Sequence, residues 1–199
     1  LHAEDQGRFE PIMATATMTK VWTPEELLEV RDRPMPELID GKLVARRLMG
    51  QKADRLASEL IYFLGVFVEK SNVGAVNGAG GSYQIFPDDP NKVRIPDVSF
   101  IRKEREPAGA AEGHGRVVPE LIAEVISPND LAEELDVKVL DFFRAGVPLI
   151  WVVNPGSRSV RVMRGDGSGG FLTGADVLDG EAVLPGFRLP LPDLFKVLD

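Results

Sequence analysis

Residues 119–127 read PELIAEVIS, the most apolar strand-sized run in the chain, and Glu124 stands in its middle to late part. A continuous run of this kind marks a strand buried on both faces, near the centre of a sheet. A carboxylate inside it is costly unless it is paired, protonated or bound to a metal. The rest of the chain is best read as what surrounds this strand.

On its C-terminal side, residues 127–148, SPNDLAEELDVKVLDFFRAGVP, predict a helix capped by Ser127 or Asn129, running to about Ala145 and stopped by Gly146. LIWVVNP, 149–155, is a second buried strand, followed by a hairpin through 159–173, SVRVMRGDGSGGFLT. The tail LPGFRLPLPDLFKVL packs a short apolar segment, and Trp151 and Phe142 read as core. On the N-terminal side, glycines and prolines divide 73–101 into short strands at 74–77, 82–86 and 97–101, expected to form an antiparallel meander. REPAGAAEGHGR, 105–116, reads as a mobile surface loop.

Further back lies a long amphipathic helix from Gln51 to Lys70, with Leu56, Leu60, Phe63, Leu64 and Phe67 recurring at three and four. Before it, ELIDGKLVARRL is two alternating runs joined at Asp40-Gly41, a pair that tolerates the positive φ of a tight hairpin turn. TPEELLEV carries Thr23 as N-cap, Pro24 at the first helical position and Glu26 three after the cap, a capping box. Residues 1 to about 19 read as a weakly ordered leader, and 20–199 as one domain. Helices and strands in this order predict a mixed sheet flanked by helices, class α/β or α+β.

Composition narrows the chemistry. The chain has 199 residues, 44 % of them hydrophobic, enough for one substantial core. Its formal charge of −8 repels a polyanion, so a nucleic acid would have to meet a local basic surface. The absence of cysteine excludes disulfides and thiolate metal sites, and with only His2 and His114 a histidine-built zinc centre is a poor expectation. Any metal would be held by oxygen. No apolar stretch is long enough to cross a bilayer and the first twenty residues lack a signal-peptide core, so the expectation is a soluble cytoplasmic protein without a membrane partner.

Asp97 opens one strand, Glu124 lies on a later one, and Lys138 sits on the helix that follows. At about 100° per residue, Lys138 falls roughly 60° from Leu135, at the flank of the buried face centred on Leu135, Val139, Phe142 and Gly146. Its stem can cross apolar surface and deliver the ammonium to the sheet. Two acids on adjacent strands and one lysine would make a site for a hard divalent cation and a phosphate.

The blocks ELIDGKLV, VRIPDVSFI, PELIAEVISPND and EELDVKVLDFFRAGVPLIWVVNP, in this order and spacing, resemble the Uma-type restriction-endonuclease family, a branch of the PD-(D/E)XK nuclease superfamily. The resemblance runs from about Val21 to the Leu-Pro-rich C-terminal segment. It implies a restriction-endonuclease-like core and a metal-dependent endonuclease acting on DNA through Mg²⁺, with Mn²⁺ as a substitute, in a homodimer whose two sites meet two strands. Asp97 matches the motif aspartate and Glu124 the second acid; these two, with the Val125 carbonyl, would hold the metal. The superfamily's usual lysine position, two after that acid, is Ile126 here, and Lys138 matches the place where this family carries a lysine on the following helix. Glu37 matches a recurring glutamate that would complete the metal shell. A histidine that many relatives carry near the start of the long helix is absent from GQKADR.

Each residue also has a plainer reading. Asp97 fits a Pro-Asp turn capping a strand, Glu124 an acid paired with an arginine, Lys138 a snorkelling surface lysine and Glu37 an acid paired across its hairpin. Arg46, Arg47, Lys52 and Arg55 near the long helix, with Arg102, Lys103 and Arg105 beyond the Asp97 strand, are candidate nucleic-acid contacts or a solvated basic patch. Gln84 either faces the site or a neighbour. The alternative to a nuclease is a catalytically idle module of the same fold that binds nucleic acid or protein.

Overall fold

Thr23 accepts from the Glu26 amide while the Glu26 carboxylate accepts from the Thr23 amide, and this reciprocal cap starts helix α1 at Pro24–Leu28. The molecule is described by a computed structural model covering residues 20–106, 109–128 and 130–199. The expected leader, and Asn129 as a cap, lie outside the described residues. After α1, strands β1 (Glu37–Ile39) and β2 (Lys42–Val44) pair antiparallel, with Asp40 and Gly41 both at positive φ in the turn. Helix α2 (Gln51–Ser71) follows as the periodicity predicts; Leu56, Leu60 and Leu64 are fully buried, and Asn72 ends the helix in the left-handed conformation.

The central sheet has six strands in the order β3-β4-β5-β6-β7-β8: β3 (Gly74–Gly78), β4 (Val98–Arg102), β5 (Leu121–Val125), β6 (Leu149–Asn154), β7 (Ser159–Arg164) and β8 (Gly169–Thr173). Only β5 and β6 run parallel, and helix α3 (Ala132–Arg144) makes their crossover. β5 is central and buried along its whole length, the environment that its apolar run requires. A small pair, β9 (Val177–Asp179) with β10 (Arg188–Pro190), and the short helix α4 (Leu191–Phe195) close one side.

The two faces of the sheet separate by the strand period of two. Val98 and Phe100 of β4, with Leu121, Ala123 and Val125 of β5, pack in the core that contains α2 and α4. Ile122 and, from β6, Ile150 and Val152 pack instead with Val139 and Phe142 of α3. Glu124 shares parity with Ile122, so it faces α3. A third small cluster, Leu27, Leu38 and Val93, seats the β1–β2 hairpin, and paired backbone bonds between Leu38 and Val93 fix its place.

Three expectations are corrected. Residues 82–86 are not a strand: Tyr83 makes isolated bridges to Arg94 and Gly115, and the neighbour of β4 is β3 directly. Helix α3 is preceded by Leu131 without a side-chain cap rather than capped by Ser127, because the Ser127 amide is taken by the Asp130 carboxylate in a tight turn. His114, expected on a surface loop, is buried between Ser82 and the Pro24 carbonyl. Among the described residues, no helix is long and apolar enough to cross a membrane.

The β3–β4 contact is tight at Gly74, where an added methyl would collide with the Ile101 carbonyl and lie 2.7 Å from Phe100 Cε2. Gly74→Ala is expected to lower stability by about 1–3 kcal/mol, read as a lower urea midpoint at unchanged slope; an unchanged midpoint would show that β3 yields freely.

Candidate active site

The register brings the two acids together. Val98 lies opposite Ala123, Ser99 opposite Ile122 and Phe100 opposite Leu121, so one step beyond the ladder Asp97 meets Glu124. The Val125 amide donates to Asp97 Oδ2 at 2.8 Å, which pins Asp97 to the C-terminal end of β5. Both carboxylates are only 5 % exposed, so the site lies inside the end of central strands and not on an open sheet edge. Arg46 reaches Asp97 Oδ1 at a long 3.5 Å and the Ala79 carbonyl at 3.3 Å.

Lys138 arrives from α3 as the helical geometry predicts. Its ammonium donates to the Ile95 carbonyl at 2.8 Å and to Glu124 Oε2 at 3.0 Å, and lies 3.3 Å from Glu37 Oε1. Glu124 Oε1 is also 3.0 Å from the ammonium, yet it has no aligned hydrogen bond and is buried. Glu37 is inside the same cluster with both oxygens engaged: Oε2 accepts from Arg94 Nη1 at 2.8 Å and Oε1 from the Ile95 amide at 2.9 Å. Its partner is thus Arg94 and not a basic residue across the hairpin.

Three carboxylates, the Lys138 ammonium and the guanidinium groups of Arg94 and Arg46 are gathered here, and burial disfavours each charge. Burial pushes the Glu124 carboxyl up to about 8, with Lys138 opposing and Asp97 and Glu37 adding to the rise. Burial also raises Asp97, against Lys138, the Val125 amide and Arg46. For Glu37, burial is outweighed by Lys138, Arg94 and the Ile95 amide, and its carboxyl is held below the usual range. Lys138 is held above its usual value: burial opposes its charge, but Glu124, Glu37 and Asp97 together prevail.

These groups line a cleft of about 660 Å³, bounded by the β2–α2 connection, the first turns of α2, the turn after β5 and the start of α3. Arg46 and Arg47 are on its wall; Arg47 makes a bidentate pair with Glu134 of α3, at 2.7 and 3.2 Å. Lys52 and Arg55 are exposed on α2 and are not part of the lining. Gln84 is not part of it either; its amide donates to the Pro90 carbonyl at 2.6 Å. Arg102 binds the Ala182 and Val183 carbonyls, Lys103 binds Asn72 and Arg105 binds Glu120, so that basic group is spent on the fold. Reasoning from sequence missed Arg94 and Asp141, buried partners behind the site: at about 100° per residue Asp141 falls roughly 120° from Leu135, off the apolar face of α3, so nothing local marked it.

The donors suit a hard cation. Asp97 and Glu124 offer carboxylate oxygens at one strand end, one of them without a hydrogen bond, and no cysteine or histidine is among the residues lining the cleft. Among the described residues, no three acidic or histidine side chains form a ready-made cage.

The described residues thus form an α+β fold with a mixed central sheet and a buried cluster of acids and one lysine at the end of its central strands. A sequence profile of the family described as "Putative restriction endonuclease" (Uma2) matches residues 24–192, and the chain belongs to that family. A crystal structure described as "a putative nuclease belonging to DUF820" from Anabaena variabilis ATCC 29413 superposes with a TM-score of 0.73 at 19 % identity, covering 89 % of this chain and 99 % of that one. The likeness establishes the restriction-endonuclease-like fold. A comparison with curated proteins found no match.

The charge state of Glu124 has a measurable sign. In the fold it keeps its proton to about pH 8, whereas its ordinary value is 4.5, so the unfolded chain gains on the folded one as pH rises between these values. Asp97 acts in the same direction, and the lowered Glu37 acts oppositely at acid pH. Urea denaturation of Glu124→Gln at pH 5, 6.5 and 8 is expected to show a shallower loss of stability than the parent chain. Parallel curves would mean that Glu124 is ionised in the fold.

Proposed function

We propose that the protein is a metal-dependent endonuclease that hydrolyses phosphodiester bonds of DNA through a PD-(D/E)XK-type site whose lysine is carried on a helix. The observation that supports this most is the convergence of Glu124, Glu37 and the Ile95 carbonyl, two residues before the motif acid, on the Lys138 ammonium, beside Asp97 at the same strand end. The match to a restriction-endonuclease family adds to it.

Asp97 and Glu124, with the Val125 carbonyl, would hold Mg²⁺ or Mn²⁺. Bound there, the ion supplies polarisation of the phosphoryl group and a water of lowered pKa. The chain's own residues do the rest. Lys138, anchored by Ile95 and Glu37, turns the N–H now given to Glu124 toward a non-bridging phosphate oxygen, where negative charge grows as water attacks phosphorus and one P–O ester bond breaks. The attacking water gives its proton to solvent as the new O–P bond forms, and the leaving alkoxide takes one from solvent. Glu37 holds Lys138, with one oxygen on Arg94 and the other on the Ile95 amide. Arg46 and Arg47 on the cleft wall are placed to meet flanking phosphates; Lys52, Arg55 and Gln84 are farther from it. Cutting both strands of a duplex takes two such sites, which a homodimer provides.

The test is cleavage of supercoiled, linear and single-stranded DNA by the full chain with Mg²⁺ or Mn²⁺. Asp97→Ala and Lys138→Ala are each expected to lower the rate on the order of 10²–10³-fold, with folding verified by circular dichroism. A folded parent chain that binds DNA but cuts no form of it with either metal would support the idle module in place of the nuclease.

A further inference from the structure

Arg94 takes no part in the chemistry above, yet the charged interior converges on it. Its guanidinium lies 5 % exposed between carboxylates from two different elements. Nη1 donates to Glu37 Oε2 at 2.8 Å, Nε donates to Asp141 Oδ2 at 2.9 Å, and Nη2 donates to that same Asp141 oxygen. Asp141 Oδ1 accepts from Lys92 Nζ at 3.0 Å, and Lys92 extends to Asp88 at 3.1 Å.

Three routes lead from Arg94 to Lys138. Asp141 stands three residues beyond Lys138 on α3, one turn away on the same side of the helix, so a grip on Asp141 fixes the rotation of α3 about its axis. Glu37, held by Arg94 through one oxygen, presents the other to the Lys138 ammonium at 3.3 Å. The residue after Arg94 is Ile95, whose carbonyl accepts from Lys138 and whose amide donates to Glu37. Arg94 therefore ties together the segment before β4, the β1–β2 hairpin and α3 at the point where their side chains meet Lys138.

Ion pairs in a protein interior contribute little stability relative to apolar packing of the same volume, so stability alone is a weak account of such a network. Orientation is a better one. A lysine has a flexible four-carbon stem, and a reacting group must be held near its productive geometry by packed and hydrogen-bonded neighbours. We propose that Arg94, gripped by Asp141, is a positioning residue that fixes the Lys138 ammonium over the carboxylate pair. The inference rests on the reading of Lys138 as the group that meets the phosphate. It requires the planar fork of arginine, because a single ammonium at residue 94 cannot bridge Glu37 and Asp141 in the same geometry.

The test uses the full chain carrying Asp141→Asn, Arg94→Lys and, as a control, Lys92→Met. The first two loosen the grip on α3 and Glu37, whereas the third removes a partner of Asp141 and leaves every contact of Arg94 in place. For Asp141→Asn and Arg94→Lys, kcat is expected to fall 10- to 100-fold with KM within threefold of the parent. Lys92→Met is expected to lower the melting temperature and leave kcat alone. Independently of cleavage, ¹⁵N-lysine NMR should show the Lys138 ammonium in slow proton exchange in the parent and in Lys92→Met, and in faster exchange in the other two. If Arg94→Lys does not fold, Asp141→Asn, which keeps the side-chain shape, decides the matter. Folded variants with parental kcat and an unchanged Lys138 signal would overturn the proposal. A parent chain that cuts nothing, with the NMR difference intact, would leave the positioning standing and remove the nuclease reading alone.

Discussion

The ammonium of Lys138, enclosed by Glu124, Glu37 and the Ile95 carbonyl, is the contact on which the arrangement depends. Without it, Asp97 and Glu124 would face each other at a strand end with only Arg46 nearby, at a long distance. Like charges brought out of water raise each other's pKa, and Glu124 at about 8 shows that one lysine does not fully offset the repulsion and the burial. A satisfied ion pair has no capacity left, whereas Glu124 keeps an oxygen without a hydrogen bond.

The fold presents this imbalance by simple means. A parallel pair, β5 and β6, requires a crossover, and the crossover helix α3 lies on the sheet face toward which Glu124 points. The antiparallel neighbour β4 then places Asp97 at the same end of the sheet as Glu124, because the start of one strand lies beside the end of the other. The hairpin β1–β2 adds Glu37, anchored through Leu38 and Val93. Four elements, bearing Glu37, Asp97, Glu124 and Lys138, thus contribute charge to one volume.

How much of this was legible in the sequence depends on whether the controlling interaction is local. The Thr23 capping box, the Asp40-Gly41 turn, the α2 periodicity and the buried β5 run are local, and each is found as read. The strand expected at 82–86 is absent because extended sequence forms a ladder only beside a free edge, and β3 occupies that of β4. The cap of α3 failed for a related reason, since Asp130 drew the Ser127 amide into a turn instead. Within the site, Asp97, Glu124 and Lys138 stood out as charge in apolar surroundings. Arg94 and Asp141 did not, since their pairing joins residues 47 apart and neither looks unusual alone.

Charge in the cleft sets a condition on any polyanionic substrate. Acidic residues, among them Asp54, Asp130, Glu133 and Glu134, line it alongside Asp97 and Glu124, and the chain as a whole carries −8. Of the cations in the lining, Lys138 and Arg94 are buried in the network, which leaves Arg46 and Arg47 toward the opening. Arg47 is already held by Glu134 in a fork that joins the β2–α2 connection to α3. A phosphate that took Arg47 would exchange one anionic partner for another, and the gain is the difference between two similar charge-assisted bonds. Affinity for the proposed substrate would then come chiefly from cations bound with it, so the carboxylate pair proposed to carry the chemistry would also be what makes the cleft tolerable to a nucleic-acid backbone.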